Sequence, residues 1–165
     1  MTHIKLARDA AVHARLHGLR QPVEEKMIKT ILLVIDSADG AERATDQCMA
    51  LAVALGSQVR VLYVMSPLPA VERAADALGG TCRDRWAARA GEALDEAAAA
   101  AQRHGIAAST TIVVDSRHDM AILDQAARHR CDLIVLQGHQ QDAWASRAIA
   151  RKVILDSSAP VLVMP

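Results

Sequence analysis

The chain has 165 residues, enough for one domain with a single hydrophobic core. Lysine plus arginine and aspartate plus glutamate both number 19, so no general electric field would attract nucleic acid or an anionic membrane. Phenylalanine is absent, and the only aromatic residues are one tyrosine and two tryptophans, which argues against base stacking on aromatic side chains. We therefore expect no nucleic-acid partner.

Three cysteines are widely spaced and form no C-x-x-C motif, a pattern typical of a reducing compartment. Cys48 is predicted in the core of a helix, Cys131 at a helix-to-strand junction and Cys82 in a loop. No apolar stretch approaches the ~20 residues of a membrane-spanning helix, and the amino terminus lacks the apolar core of a secretory signal. These features predict a soluble cytoplasmic protein without a membrane partner.

Residues 1–26 are predicted to form a helical N-terminal extension ahead of a domain that covers residues 27–165. The extension is rich in histidine, arginine and alanine, and Gly18 and Pro22 would break a helix there. Three interpretations stay open: an accessory helix that packs on the domain or on a partner, a targeting segment, or a chain whose true start is Met27.

From Thr30 onward, short apolar runs alternate with stretches that have helical spacing. In chain order, the prediction is strand 31–35, helix 42–55, strand 59–64, a loop over 65–83 with a short helix at 71–78, helix 85–104, strand 110–114, helix 120–130, strand 133–136, helix 143–155 and strand Val161–Met164. Gly56 and Gly105 are predicted to end the helices before them. This alternation implies right-handed crossovers, and hence an α/β fold: a three-layer, doubly wound sandwich with a five-stranded parallel sheet.

Two of the predicted strands, 31–35 and 133–136, are continuous apolar runs, which is typical of strands buried on both faces of a parallel sheet. Each run stops abruptly, the first at Asp36 and the second at Gln137 and Gly138. In an open parallel sheet, ligands bind outside the carboxyl ends of the strands. The loops after these two strands are therefore the predicted ligand site.

Three stretches together resemble the universal stress protein family, over a region from about Ile28 to the C-terminus. Residues 28–37 (IKTILLVIDS) are similar to that family's opening strand with its terminal aspartate. Residues 131–138 (CDLIVLQG) resemble its Asp-Leu-Ile-Val strand that runs into a glycine loop, and residues 159–163 (APVLV) resemble its closing strand.

The resemblance implies the sheet order 3-2-1-4-5, as in adenine nucleotide alpha hydrolase-like proteins. It also implies a homodimer in which the final strands of two subunits pair through Val161, Leu162 and Val163. Physical reasoning favours the same dimer, because an apolar final strand at the edge of the sheet would otherwise expose a row of unpaired backbone groups.

ATP-binding members of the family carry a glycine motif after the fourth strand: Gly, two residues, Gly, nine residues, then Gly followed by Ser or Thr. Glycines let backbone N–H groups approach phosphate oxygens there. Here Gly138 matches the first glycine, but Gln141 occupies the second position. The final pair falls on residues 151–152, or on residues 147–148 when the alignment is anchored at Pro160, and neither pair contains glycine. The resemblance thus implies a member that lacks the complete ATP-binding motif.

Three cofactor-binding candidates follow from the resemblance: Asp36, which sits at the nucleotide in ATP-binding members, Val64, which lines the adenine pocket, and Gly138. Each also has a structural interpretation. Asp36 can satisfy backbone donors at the turn into the first helix, Val64 can be a core residue, and Gly138 can make a turn.

Three basic residues in the last helix, Arg147, Arg151 and Lys152, offer another way to hold phosphate, as side-chain charges in place of glycine amides. Helical spacing places Arg147 and Arg151 on one face, so a solvated stripe is the alternative interpretation.

A transition-metal site is a further hypothesis. His118 and His139 follow the third and fourth strands, and Asp36, Asp115 and Asp119 lie near the same rim. No H-x-x-x-H or comparable spacing accompanies them, so we predict no metal.

No catalytic residue is predicted, because Ser37, Ser116 and Ser146 lack a nucleophile-elbow context. The leading prediction is a noncatalytic stress-response protein that works as a homodimer through protein contacts and needs no cofactor. The first alternative binds ATP or another adenine nucleotide through an altered phosphate loop. The second is a weak nucleotide hydrolase, although no residue is placed to position a water or a magnesium ion.

Overall fold

The structure, a computed structural model, describes residues 28–35, 41–137 and 143–164. Its elements in chain order are β1 (Thr30–Ile35), α1 (Ala41–Leu55), β2 (Gln58–Met65), α2 (Ala70–Ala77), α3 (Cys82–Arg103), β3 (Ala108–Val114), α4 (His118–Arg128), β4 (Leu133–Gln137), α5 (Ala143–Asp156) and β5 (Val161–Met164). Every predicted strand and helix from residue 30 onward is present. The predicted helical extension, residues 1–26, lies outside the described ranges, and no helix within them is long and apolar enough to cross a membrane.

The five strands form one parallel sheet in the order β3-β2-β1-β4-β5, which confirms the predicted fold. At the centre of the sheet, Leu33 of β1 stands opposite Val61 of β2 and Val135 of β4. Every residue of β1 and β4 is buried. Their unbroken apolar sequences arise because helices cover both faces of the sheet.

Two hydrophobic clusters lie on the two faces of the sheet. On one face, α1 and α3 pack against Leu33 and Val61, and α3 contributes mostly alanines, whose small side chains permit a close approach to α1. On the other face, α4 and α5 cover Leu62 and Val64 of β2 and Leu136 of β4. Adjacent β2 residues enter different clusters because successive side chains of a strand point to opposite faces.

Two glycines end helices as predicted. Gly56 follows α1 with φ of 63°, and Gly105 follows α3 with φ of 66°. Glycine adopts this left-handed conformation without steric cost. Arg130 takes the same position after α4 with φ of 49°. The predicted helix 120–130 therefore extends two residues beyond the observed end of α4, because an arginine in the sequence does not signal a helix end as glycine does.

Cys82 begins α3 and is not the loop thiol that the sequence predicts. The Asp76 carboxylate accepts hydrogen bonds from the backbone N–H groups of Cys82 (2.7 Å) and Arg83 (2.9 Å). These donors at the helix start are thus satisfied by a side chain from α2, six residues earlier in the chain. The usual N-cap pattern is more local, so the sequence places the start of this helix three residues late.

Hydrogen bonds tie the amino ends of the central strands together. Asp132 Oδ2 accepts from the backbone N–H groups of Lys29 (2.8 Å) and Thr30 (3.0 Å). Ser57 Oγ donates to the carbonyl of Ile28 at 2.6 Å. Polar groups at this end of the sheet therefore hold β1, β2 and β4 in register.

Candidate functional site

The carboxyl ends of β1, β2 and β4 lie side by side, at the rim where the sequence predicts a ligand site. Residues 36–40, after β1, and 138–142, after β4, lie outside the described residues. The predicted roles of Asp36 and Gly138 fall on these segments and stay predictions. Val64, near the end of β2, is described and is only 3% exposed.

Val64 lines a small apolar cavity beneath the rim, with a volume of about 30 Å³. Val34 of β1 and Leu136 of β4 form the sheet side of its wall. Ile122 of α4 and Ile149 of α5 form the helix side. Its apolar lining between a sheet and two helices is typical of ligand sites, but its volume is below the ~300 Å³ of an ordinary small-molecule pocket. Its proposed contact with an adenine ring stays a prediction.

His118 forms part of the polar edge of this cavity and connects it to a second one. The imidazole Nε2 lies 3.0 Å from the hydroxyl of Ser66, which is the first residue after β2. His118 lines the adjoining cavity, of about 260 Å³, together with Ser66, Tyr63, Trp86 and Arg89. Arg89 brings a positive charge to this second cavity.

Sequence reasoning missed Ser66, although the signal that marked Asp36, a polar residue directly after a strand, applies to it as well. His118 begins α4 and does not lie in a loop, because Asp115 Oδ1 accepts the Arg117 N–H at 2.8 Å and turns the chain into the helix. Within the described residues, no carboxylate is hydrogen-bonded to His118. The pair therefore lacks the third group that orients the histidine in a hydrolytic triad.

The three basic residues predicted as phosphate contacts have different surroundings. Arg147 and Arg151 lie four residues apart on α5, and both are exposed, as helical spacing predicts. Lys152 Nζ lies 3.4 Å from Asp119 Oδ2 on α4. This ion pair engages Lys152, and neither arginine lines the cavity at Val64, so the phosphate role of the two arginines stays a prediction.

Two residues of the metal hypothesis, Asp36 and His139, lie outside the described residues. The part of the chain that the structure describes contains no group of three or more histidine, cysteine, aspartate or glutamate side chains placed to hold a metal ion. Asp115 and Asp119 instead make a local hydrogen bond and an ion pair.

All three cysteines are free thiols. Burial raises the pKa of Cys48 from its ordinary value near 9.0 to about 12. Burial also raises the pKa of Cys131, against the opposing effect of the Arg60 guanidinium. Both thiols lie in the hydrophobic clusters, where burial favours their protonated form over the thiolate.

Comparisons with known proteins agree with the fold and extend over nearly the whole described chain. The sequence model of the Universal stress protein family matches residues 27–165. A relative from Thermus aquaticus, described as "Universal stress protein in QAH/OAS sulfhydrylase 3'region", is 30% identical over 142 residues. That match covers 84% of this chain and 99% of the relative.

Two solved structures share the fold. A universal stress protein in complex with cAMP superposes with a TM-score of 0.64 at 22% identity, over 84% of this chain and 98% of that one. The universal stress protein from Archaeoglobus fulgidus in complex with dAMP superposes with a TM-score of 0.60 at 23% identity, again over 84% and 98%. At these identities the two structures show a common fold alone. The match to the family's sequence model and the match to the relative from Thermus aquaticus together show that the chain belongs to the universal stress protein family.

Proposed function

We propose that the protein is a noncatalytic homodimer that acts in the stress response through contacts with other proteins. The observation that carries this proposal is the outer edge of β5. Among the described strands, β5 pairs with β4 alone, so its outward backbone groups meet water in a monomer. A second copy of β5 fits this edge, because two identical strands can pair about a two-fold axis.

The side chains around this edge are apolar and partly exposed. Leu162 and Val163 are 38% and 44% exposed, and Ile154 and Leu155 of the neighbouring helix α5 are 51% and 71% exposed. A second copy would remove part of this apolar surface from water, which stabilises a dimer by about 25 cal/mol for each Å² buried. An apolar edge strand left open would be prone to aggregation.

The chemistry at the rim supports the noncatalytic part of the proposal. Within the described residues, no carboxylate is hydrogen-bonded to His118 to orient its ring toward Ser66. The sequence after β4 contains one glycine, Gly138, where the family's ATP motif has three. The cytoplasmic location expected from the unpaired cysteines belongs to the same proposal.

Sedimentation velocity of the full chain tests the dimer. The wild type should sediment with twice the mass of the chain. Leu162→Arg should be monomeric, because the pairing would bury a charge without a partner. Leu78→Arg is the matched control and should remain dimeric, since Leu78 is 91% exposed at the end of α2. A monomeric wild type overturns the dimer, and a dimeric Leu162→Arg overturns the pairing through β5.

A second candidate function is the binding of an adenine nucleotide, and the cavity at Val64 favours it. Its apolar walls on the sheet side and the helix side are of the kind that contacts a planar base, and the cavity, about 30 Å³ in volume, would have to widen to admit one. The two solved structures of similar fold are complexes with cAMP and dAMP. In this candidate, Arg147 or Arg151 would contact phosphate in place of glycine amides.

Isothermal titration with ATP, with and without Mg²⁺, and with AMP separates the two candidates. A micromolar Kd, about −8 kcal/mol, would support nucleotide binding. The double variant Arg147→Gln/Arg151→Gln should then bind at least about tenfold more weakly. If protein free of copurified nucleotide gives no heat, the first candidate is supported.

A further inference from the structure

The first two turns of α3 stand away from the sheet. The buried residues of α3 begin at Ala90 and continue to Ala101, whereas none of residues 82–89 is buried. Beneath these turns lies a groove with a volume of about 380 Å³, bounded by the carboxyl ends of β2 and β3 and by the loop that leads to α2. We call it the α3 groove.

The walls of the α3 groove are mostly apolar. Ile112 and Val114 of the edge strand β3 line it, although they are 43% and 61% exposed. Met65 lies on the same face of the sheet, since it pairs in register with Val114. Trp86 of α3 and Leu68 of the loop, both half-buried, complete this apolar lining. An apolar ligand would remove this surface from water.

Two arginines, Arg73 of α2 and Arg83 of α3, line the groove, and no acidic residue is among its described lining residues. Both are exposed, and within the described residues neither has an acidic partner within 4.0 Å. Arg73 Nη1 donates to the Leu68 carbonyl at 2.6 Å, which holds the guanidinium beside the apolar wall and leaves its other donors for a ligand. The nearby Asp76 carboxylate is already bound to backbone N–H groups at the start of α3.

We propose that the α3 groove binds a small amphipathic anion, a carboxylate that carries an alkyl or aryl tail. The tail packs against Trp86, Ile112 and Val114. The carboxylate accepts charge-assisted hydrogen bonds from Arg73 and Arg83. Because the chain has no net charge, the attraction for the anion is local to these two guanidinium groups.

This site is separate from the cavity at Val64. Val64 belongs to the hydrophobic cluster that α4 and α5 cover. Ile112 stands opposite Tyr63, which packs against the other cluster, under α1 and α3. The two sites therefore lie on opposite faces of the sheet, but both adjoin the second cavity, which shares His118 with the cavity at Val64 and Trp86 with the α3 groove.

The charge of the groove disfavours the chain's own N-terminal segment as its occupant. Residues 1–20 contain four basic side chains and one acidic side chain, so arginines lining the groove would repel this segment. A small anion is the chemistry that complements two unpaired guanidinium groups beside an apolar wall.

Trp86 can report the binding directly. The chain has two tryptophans, so in Trp144→Phe all tryptophan emission comes from Trp86. Decanoate, kept below its micelle concentration, should shift this emission saturably with a Kd below about 1 mM. Butyrate keeps the head group and lacks the tail, and decyltrimethylammonium keeps the tail and reverses the charge. Each should bind at least about tenfold more weakly than decanoate.

Variants in the Trp144→Phe background test the role of the arginines. Arg73→Gln/Arg83→Gln should weaken decanoate binding at least about tenfold. Arg43→Gln removes an exposed guanidinium from α1, outside the groove, and should leave the affinity unchanged.

Three results would overturn the proposal: no saturable response to decanoate, equal affinity for decanoate and decyltrimethylammonium, or unchanged affinity in the double variant. A second copy of the chain is the remaining candidate occupant of the groove, and sedimentation velocity tests for it. If decanoate does not bind and Val114→Arg converts a dimeric protein into a monomer, the groove is an interface between copies.

Discussion

Cys48 shows how burial sets the chemistry of one side chain. The residue is fully buried between α1 and the sheet, and burial raises its pKa to about 12. In the unfolded chain the thiol ionises near pH 9.0. Above that pH the unfolded state has lost a proton that the folded state keeps. The contribution of Cys48 to stability is therefore fully present below pH 9.0 and decreases as the pH rises toward 12.

Urea unfolding of the wild type and Cys48→Ala tests this dependence. Between about pH 8 and about pH 10, the wild type should lose about 1 kcal/mol more unfolding free energy than Cys48→Ala, because alanine does not ionise. The comparison uses the pH slope of each protein, so the fixed cost of removing the buried thiol cancels. Equal slopes would mean that the folded state does not hold the thiol protonated.

Arg130 fills a position that glycine fills elsewhere in this fold. The helices α1, α3 and α4 end in the same kind of turn, which contains one residue in the left-handed conformation. The residue after it donates its backbone N–H to the carbonyl of the residue five positions earlier in the chain, at 2.9 Å in each of the three turns. Gly56 and Gly105 occupy the left-handed position in the first two turns, and Arg130 occupies it in the third with φ of 49°. A side chain at this backbone conformation costs about 1–2 kcal/mol.

Arg130→Gly should therefore stabilise the protein. Relief of the left-handed strain exceeds the extra chain entropy of glycine, about 0.5–1 kcal/mol, so the net gain should be about 0.5–1 kcal/mol. The reverse change, Gly105→Ala, should cost about 1 kcal/mol, since a Cβ there meets no atom within 4 Å and only the backbone conformation is strained. Denaturant midpoints measure both changes. A destabilised Arg130→Gly would show that the arginine side chain contributes more than its strain costs.

The strands and helices could be predicted because their signals are local. The unbroken apolar runs of β1 and β4 indicate burial on both faces, and Gly56 and Gly105 mark helix ends. The ends that the sequence misplaces depend on less obvious interactions. Asp76 reaches from α2 to cap α3, and Asp115 turns the chain into α4. Neither carboxylate occupies the usual N-cap position next to the helix it starts.

The candidate site was harder to predict than the fold, because it joins residues that are distant in sequence. The order of strands places the loops after β1 and β4 at one rim, as the apolar runs and their abrupt ends indicate. The Ser66–His118 pair, however, joins residues 52 positions apart. The α3 groove likewise combines a loop, two helices and an edge strand. No spacing in the sequence marks such a combination, since it depends on how far the first turns of α3 stand from the sheet.

The predicted division of the chain into an extension and a domain has a direct test. The strand-helix pattern begins at Thr30, and the family match begins at residue 27. Deletion of residues 1–26 should therefore leave one cooperative unfolding transition, with a Tm within a few degrees of the full chain. Differential scanning calorimetry measures it. Loss of cooperativity would place the segment in the core of the domain.

The dimer makes a specific demand on the backbone of β5. The Pro160 carbonyl accepts the Ile134 N–H, so the alternation of the strand directs the N–H groups of Val161 and Val163 away from β4. Pairing with a second β5 would give these two groups acceptors. The Leu162→Arg monomer would leave them in water.

Amide hydrogen exchange at Val161 and Val163, followed by NMR in the wild type and in Leu162→Arg, would test this pairing most directly. We expect slow exchange at both amides in the wild type and fast exchange in the variant, while the amide of Ile134 stays protected in both. Fast exchange of Val161 and Val163 in a dimeric wild type would show that the dimer does not form through β5.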